Sequence, residues 1–416
     1  MISLDEARAT VLAGCVTLAA RAVPLADARG CVLATAVVAP DDVPPFDNSA
    51  MDGFAVRAHD TRGASPDGPV VLRVVDTVAA GQAPSTAVEA GTAVRIMTGA
   101  PVPDGADAVV MVEATELVAG GVAGTERVAV HAEVAAGQHL RRAGDDVTAG
   151  SVVLEPPTVL GAAHLGVLAS VGADTVDVIP RPVVGVLSTG DELVEAGRPL
   201  APGQIRDSNR VALCAAIELA GAVPVDLGLV ADDEALVTAA IEQGVQRCDL
   251  LITSGGVSMG DFDYVKVVLD RLGAMRWMQV AIRPAKPLAF GVVDGGDGRP
   301  VPVLGLPGNP VSSLVSFELF GRPALRRLAG WPGAAQVPAP VLATAGADLA
   351  RRPDGKVHLV RVRTEAAPDG TLTVMPAAGQ GSHQLAAMAG AQALAVLPDG
   401  SGVLAGSQVE VLVLPT

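Results

Sequence analysis

Aromatic side chains are nearly missing from this chain, which has two Trp, one Tyr and six Phe among 416 residues. Rings therefore cannot fill the interior. Since 50% of the residues are hydrophobic, the cores must be built from Ala, Val and Leu in layered elements. Positive charge is scarce as well. Lys and Arg number 29 against 45 Asp and Glu, a formal net charge of −16, which excludes the basic footprint that nucleic acid or an anionic membrane requires. Any anionic ligand must be held by a local arrangement. The four cysteines, Cys15, Cys31, Cys214 and Cys248, lack a CxxC spacing and sit in apolar contexts, so they read as reduced core thiols. His59, His131, His139, His164, His358 and His383 are dispersed without metal-ligand spacing, which argues against zinc. A GxxxxGK[ST] loop, a GxSxG elbow and a Cys/His pairing are all absent, leaving ordinary ATPase and acyl-transfer chemistry without support. The longest uncharged stretch, Pro156 to Ala173, is broken by Gly161, His164, Gly166, Ser170 and Gly172, and is expected to be a buried helix rather than a membrane span. The N-terminus lacks a basic region followed by an apolar run, so export is not expected and the cytoplasm is the expected location.

What is present falls into several regimes, and the length suggests about three domains. Ser3-Leu-Asp-Glu6 forms a capping box that opens a helix, and the segment to about residue 45 ends in the stiff Asp42-Val-Pro-Pro45. Short Val-rich runs between Gly, Pro and Asp then occupy residues 47–145, the pattern of a small β domain. Helical periodicity returns near residues 158–172, so the β region reads as an insertion between two parts of one helical layer, together residues 1–175. Over 176–328 strands and helices alternate, as in a mostly parallel sheet covered on both faces. The segment 335–416 returns to short strands and is expected to be a small β barrel. The expected fold class is thus multidomain α/β plus β: a central three-layer α/β domain, an inserted small β domain and a C-terminal barrel.

Three motifs lie where central strands end, the place where ligands sit in open sheets. Leu187-Ser-Thr-Gly-Asp-Glu192 runs from a strand through Gly190 to two adjacent carboxylates. Ile252-Thr-Ser-Gly-Gly-Val-Ser-Met-Gly-Asp-Phe-Asp263 follows a buried strand with a Gly-rich turn, in which Ser254, Gly255, Gly256 and Ser258 can face an anion with backbone N–H groups. Its acids suit Mg²⁺ beside a phosphate, although Asp261 or Asp263 could equally be a helix cap. Leu304-Gly-Leu-Pro-Gly-Asn-Pro310 is the third; capping accounts for Asn309 and Pro310, whereas Pro307 and Gly308 shape a rigid turn facing an anion. Between them Ile282-Arg-Pro-Ala-Lys-Pro287 concentrates Arg283 and Lys286, which reads as a phosphate-binding pair rather than a solvated one. In the β region, Asp52 precedes a glycine, Thr98 ends an apolar run, and Arg142-Ala-Gly-Asp-Asp146 adds an acid pair; each alone is an ordinary turn or surface segment.

Taken in order, Asn48-Ser-Ala-Met-Asp-Gly-Phe54, Arg95-Ile-Met-Thr-Gly-Ala100, Ser188-Thr-Gly-Asp-Glu192, Ser254-Gly-Gly-Val-Ser258 and Leu306-Pro-Gly-Asn-Pro310 resemble the MoeA family, which also includes the E domain of gephyrin. The match spans nearly the whole chain. The resemblance implies molybdenum cofactor biosynthesis, with molybdate placed on the dithiolene of adenylylated molybdopterin, Mg²⁺ as cofactor and release of AMP. It further implies a homodimer whose active cleft lies between the central domain of one subunit and the insertion of the other, with a molybdopterin adenylyltransferase as a candidate partner. Carried onto matching positions, Asp52, Thr98, Asp146, Glu192, Asp232, Asp263, Lys286, Pro307 and Pro310 are the implied functional set. Glu192, Asp232 and Asp263 are the implied metal-holding acids, with Asp233 the alternative to its neighbour. Two positions depart from the family pattern: Asp145-Asp146 replaces a frequent Glu-Asp, and Arg283 and Ala285 stand where Lys and Gly are frequent, Arg283 keeping the charge in a planar fork. Two other readings compete. The central domain also resembles molybdopterin adenylyltransferases, but these lack the insertion and the barrel. A gephyrin-like scaffold would carry appended segments, and none is evident.

Overall fold

Apolar runs without a polar face decide the central architecture. In the computed structural model, which describes residues 1–118, 126–256, 264–296 and 298–415, six strands share one sheet. They are Val183–Thr189 (β1), Val223–Val230 (β2), Leu250–Ser254 (β3), Arg276–Gln279 (β4), Pro287–Asp294 (β5) and Pro300–Leu306 (β6), in the order β2-β1-β3-β6-β5-β4. The run β2-β1-β3-β6 is parallel, and β5 pairs antiparallel with both β6 and β4. Strand alternation sends Val184, Val186, Leu250, Ile252, Leu304 and Leu306 into one core with Leu213 and Ile217 of helix Asn209–Leu219 (α1). It sends Leu187, Leu251, Val301 and Val303 into another, shared with helices Glu234–Arg247 (α2) and Tyr264–Leu272 (α3). Burial on both faces is what makes these strands continuous in hydrophobicity. Helix Pro310–Ser316 (α4) closes the first face and continues through a π turn, Phe317–Gly321, into Arg322–Leu328.

The C-terminal strands close on themselves. Val357–Ala366 pairs with Leu372–Pro376 and with Ala393–Leu397; Gln408–Val413 and Val341–Ala345 complete a five-stranded barrel. Closure removes exposed strand edges over most of the ring. One edge extends outward, because Ile282–Arg283 pairs in parallel with Val357–His358. That pairing draws the Arg283 segment of the central domain against the barrel.

These elements and the N-terminal segment form one compact unit, Met1–Ala34, Pro156–Leu160 and Asp177–Thr416. Thr35–Glu155 and Gly161–Val176 form the other. The second unit holds a six-stranded sheet, in which Gly53–Val56 lies between Ala108–Met111 and Thr92–Ile96, and Val70–Val78 continues to Arg127–Val130 and Thr115–Val118. Phe54, Val56, Leu72, Val110 and Val128 fill one face, while Ala55, Val94, Ile96 and Val109 fill the other.

The expected capping box is present: Ser3 Oγ accepts from the Glu6 N–H and the Glu6 carboxylate from the Ser3 N–H. The N-terminal helix Leu4–Ala13 packs through Ala7 and Val11 into the first core of the first unit, and Ala162–Ser170 belongs to the second unit. One expectation needs correction. The stretch from Pro156 to Ala173 is not a buried helix. Its helical part has nine residues, of which Leu168 is the buried one; Gly161 and Gly172 confine it, and its small Ala residues leave little surface to hide. Among the described residues, no helix is long and apolar enough to cross a membrane. All four cysteines are free, and burial pushes the Cys15 thiol up to about 12.

Candidate functional site

The carboxyl ends of β1, β3 and β6 meet because the strands are parallel and in register, Ser188 beside Ser254 and Ser254 beside Leu306. Gly255 continues this register, its N–H donating to the Leu306 carbonyl at 3.1 Å. Its φ of +96°, and +68° at the next residue Gly256, are left-handed values that favour glycine. A Cβ on Gly255 would lie 3.2 Å from the Thr189 carbonyl oxygen, and one on Gly308 would lie 3.8 Å from the Gly255 Cα. The two turns are therefore side by side.

A residue that the sequence motifs did not single out joins them. Asn209, at the start of α1, donates from Nδ2 to Ser254 Oγ at 2.8 Å and to the Gly308 carbonyl at 2.7 Å. Its own position is fixed by Asp207, whose Oδ1 accepts from the Asn209 and Arg210 N–H groups at 3.1 and 3.2 Å. Asn209→Ala is expected to cost about 1–2 kcal/mol, the net value of two hydrogen bonds. Asn209→Asp should cost more, since a carboxylate cannot donate and would face the Gly308 carbonyl. Denaturant unfolding of the two variants beside the wild type measures both.

Asn309 stands at the cap position of α4, and Pro310 is the first helical residue. The Asn309 side chain nevertheless makes no capping hydrogen bond, which corrects the view that capping accounts for it. It lines instead a cavity of about 500 Å³ together with Pro307, Ser312, the segment Ile282–Pro287, and Lys356, Gln380, Gly381, Ser382 and His383 of the barrel domain. Arg283, Lys286 and Lys356 are on this wall and, among the described residues, no Asp or Glu is, an unusual concentration in a chain of net charge −16; Lys356 also pairs with Asp354 at 3.5 Å. The whole sequence has three lysines, Lys266, Lys286 and Lys356, so two of them serve this one cavity. Lysine scarcity was the sequence signal that could have singled out Lys356. Ala285, at the turn between the two central-domain cations, is buried with φ +77°. A side chain there is strained by about 1–2 kcal/mol, strain of the kind that clusters at ligand sites.

Acids gather beyond β1 and β2. A Cβ on Gly190 would lie 2.5 Å from Glu192 Oε2, so the glycine leaves room for that carboxylate to fold back. The Asp232 N–H donates to Asp191 Oδ1 at 3.0 Å. Burial raises the Asp232 pKa, and the charges of Asp191 and Glu192 raise it further. Asp233 is engaged elsewhere: it caps α2, its Oδ1 accepting from the Leu236 N–H at 2.9 Å. That leaves Asp232 as the acid facing the cluster. Ser258 and Asp263, with Asp261, lie outside the described residues. Among the described residues, no group of three His, Cys, Asp or Glu side chains is placed to hold a metal ion.

In the second unit, three separate motifs meet. Ser49 and Gly99 exchange backbone hydrogen bonds with the Ala100 and Ser49 carbonyls, Ala50 N–H donates to the His139 carbonyl, and Asn48–Ser49 pairs with Leu140–Arg141. Asp52 Oδ1 accepts from the Thr98 N–H at 2.7 Å and from Thr98 Oγ1 at 2.8 Å. These bonds, the backbone one first, hold the exposed Asp52 carboxyl below the usual carboxylate range. Asp146 is exposed nearby in sequence to Arg142, and its N–H donates to the Val43 carbonyl at 3.0 Å. Asp47 receives the Ala143 N–H and the Arg142 guanidinium, which hold its carboxyl low as well.

A parallel central sheet with glycine-rich turns at its switch point, an acid cluster and a cavity walled by three cations define an α/β protein of the kind that takes a ligand at its strand ends. Matches to family models make this specific: residues 2–172 match the MoeA N-terminal region (domain I and II), 185–327 a probable molybdopterin binding domain, and 343–414 the MoeA C-terminal region (domain IV). The chain belongs to the MoeA family. It is 42% identical over 399 residues to molybdopterin molybdenumtransferase 2 of Mycobacterium tuberculosis, covering 94% of each chain. It is 36% identical to the molybdopterin molybdenumtransferase of Haemophilus influenzae, covering 99% of this chain and 98% of the other. The structure of the molybdopterin biosynthesis moeA protein from Pyrococcus horikoshii OT3 superposes with a TM-score of 0.77 at 28% identity, covering 100% of both chains.

Proposed function

We propose that this protein is a molybdopterin molybdenumtransferase that takes adenylylated molybdopterin and molybdate, depends on Mg²⁺ and releases AMP as it forms molybdenum-molybdopterin. That it is a transferase of molybdenum cofactor biosynthesis follows from its family and its relatives' shared name. The adenylylated substrate, the metal and the leaving group are the finer part of the proposal. The observation that carries it is the cavity whose described wall holds Arg283, Lys286 and Lys356 and no Asp or Glu, a chemistry suited to an oxyanion even though Lys356 also pairs with Asp354 at 3.5 Å.

In this reading the Ser254–Gly256 and Pro307–Pro310 turns bind the substrate's phosphates by backbone N–H groups. The cavity beside them takes molybdate, so that Lys286 and Lys356 neutralise it. Mg²⁺ keeps several waters and commonly takes one or two carboxylates together with substrate phosphates, so Glu192 and Asp232 suit it without a three-acid cage. Burial, and after it the charges of Asp191 and Glu192, raise the Asp232 pKa, and a divalent cation would favour its charged form. Bound there, the ion would polarise the pyrophosphate linkage. Asp52, held by Thr98, supplies a fixed negative acceptor. A homodimer and a cytoplasmic location belong to the same proposal; light scattering should give about twice the chain mass of 41.7 kDa.

AMP release from adenylylated molybdopterin tests the reaction, and it should require both molybdate and Mg²⁺ and stop with a chelator. If the purified chain instead makes the adenylylated compound from ATP and molybdopterin, it is an adenylyltransferase and the proposal fails. Lys286→Met should raise the molybdate KM by roughly tenfold, the scale of one lost charge contact to an anion. Molybdate should also protect Lys286 and Lys356, and not Lys266, from an amine-reactive label read by mass spectrometry.

A further inference from the structure

The two hydrogen bonds of the Asn209 side chain end on two different strand-end turns, and each constrains a donor there. In the turn after β3 the Gly255 N–H is already engaged by the Leu306 carbonyl, so the Ser254 hydroxyl is the donor next in line. Ser254 is 3% exposed. A hydroxyl has one proton to give and lone pairs to receive, whereas an amide nitrogen can only donate. Ser254 Oγ must therefore be the acceptor of its 2.8 Å bond from Asn209 Nδ2, and its own proton points away from Asn209. Ser188, the register neighbour of Ser254 on β1, does not take that proton, since its buried Oγ has no partner. Among the described residues the Ser254 proton has no acceptor.

The second bond acts on a peptide group. Asn209 Nδ2 donates to the Gly308 carbonyl at 2.7 Å, and the Gly308–Asn309 peptide is trans. In a planar trans peptide the N–H points opposite to the C=O. Holding the Gly308 carbonyl on Asn209 thus sends the Asn309 N–H the other way, and among the described residues it too has no acceptor. The turns are near enough for one ligand group to meet both, a Cβ on Gly308 lying 3.8 Å from the Gly255 Cα. Asn209 is itself held by Asp207, which accepts from its N–H and is paired with the buried Arg210. We infer that Asn209 is a positioning residue for the substrate's phosphate: it aims the Ser254 hydroxyl and the Asn309 N–H, donors from two strand ends, at one group that only accepts. An ionised phosphate is such a group. This rests on the reading of the strand ends as the place of the substrate's phosphates.

The test is AMP release by the full-length protein, with adenylylated molybdopterin varied against saturating molybdate and Mg²⁺. Ser254→Ala loses one donor to a charged group and should raise the KM for that substrate roughly tenfold. Asn209→Ala leaves both donors unaimed and should raise it roughly thirtyfold, with kcat and the molybdate KM within about twofold of wild type, the pattern of lost ground-state binding. Adding Ser254→Ala to Asn209→Ala should raise the KM by less than about threefold more, because a hydroxyl that nothing aims contributes little. Should Asn209→Ala not fold, Asn209→Ser replaces it in the same comparison, keeping a polar side chain too short to reach both turns. A full further tenfold in the double variant would show that Ser254 binds without help from Asn209. A fall in kcat or a rise in the molybdate KM matching the substrate effect would mean that Asn209 only holds the start of α1, and an unchanged KM would mean no role. Each of these overturns the inference. If the wild type itself releases no AMP from this substrate, the reading of the strand ends fails and takes the inference with it.

Discussion

Asp52→Asn is expected to lower turnover by roughly 10²-fold or more, the scale of losing a positioned acid, base or metal-orienting carboxylate. Its fold should survive. Asp52 is exposed at a turn after Pro44-Pro45, and its Oδ1 receives two hydrogen bonds from Thr98 that an amide oxygen can also accept. A thermal midpoint close to wild type beside a collapsed rate would separate function from folding. The pH dependence has a definite sign. Because the Thr98 bonds hold the carboxyl below its ordinary range, Asp52 stays ionised at neutral pH and contributes stability above the unfolded carboxylate pKa. That contribution is lost only as pH falls through the depressed folded value. Thr98→Val removes one of the two bonds and should move this acid limb upward, toward the ordinary carboxylate range. Full activity in Asp52→Asn would sink the assignment of any chemical role to this residue.

Arg210→Met is expected to cost roughly 3 kcal/mol, the range for breaking a buried ionic group by removing one partner. Arg210 is 5% exposed, with Asp207 buried beside it, while the side chains of Glu195 and Asp226 are 53% and 55% exposed. Glu195 and Asp226 can regain water, so the stranded charge is Asp207. Its Oδ1 still accepts from the Asn209 N–H, but without Arg210 its other oxygen loses the guanidinium Nε. The start of α1 should loosen and carry Asn209 out of reach of Ser254 and Gly308. Denaturant unfolding measures the stability, and substrate affinity should weaken with it. Burial raises the Asp226 pKa, but the Arg210 and Gly228 hydrogen bonds outweigh it and leave the carboxyl low. Asp226 therefore stabilises the fold above its unfolded pKa, and this is lost as pH falls through its lower folded value. In Arg210→Met that acid-labile component should largely vanish.

Most of the central sheet was legible because period and length decide it. Tyr264–Leu272 and Val223–Val230 begin and end where the apolar patterns and the flanking glycines place them. The antiparallel strands β4 and β5 were not legible: Arg276–Gln279 is a short mixed run whose pairing depends on Pro287–Asp294 being beside it. The glycine-rich strand ends were legible as turns. Asn209 and Ser382 were not legible as their neighbours, since nothing in the local sequence of a helix start or a barrel-domain turn says which strand end or cavity wall it will join.

The sequence by itself determined the layered Ala/Val/Leu cores, the order of the strand-end motifs and the scarcity of cations, all of which are local or compositional. Only the tertiary structure decided which scattered groups share a site. The edge pairing of Ile282–Arg283 with Val357–His358 joins a central-domain segment to a barrel strand more than seventy residues away, and with it Arg283 and Lys286 to Lys356. The same holds for Asp52 and Thr98, whose hydrogen bonds cross a separation of 46 residues. Such contacts arise from backbone ladders and closure of a sheet, and a linear pattern of side chains carries no record of which ladder closes on which.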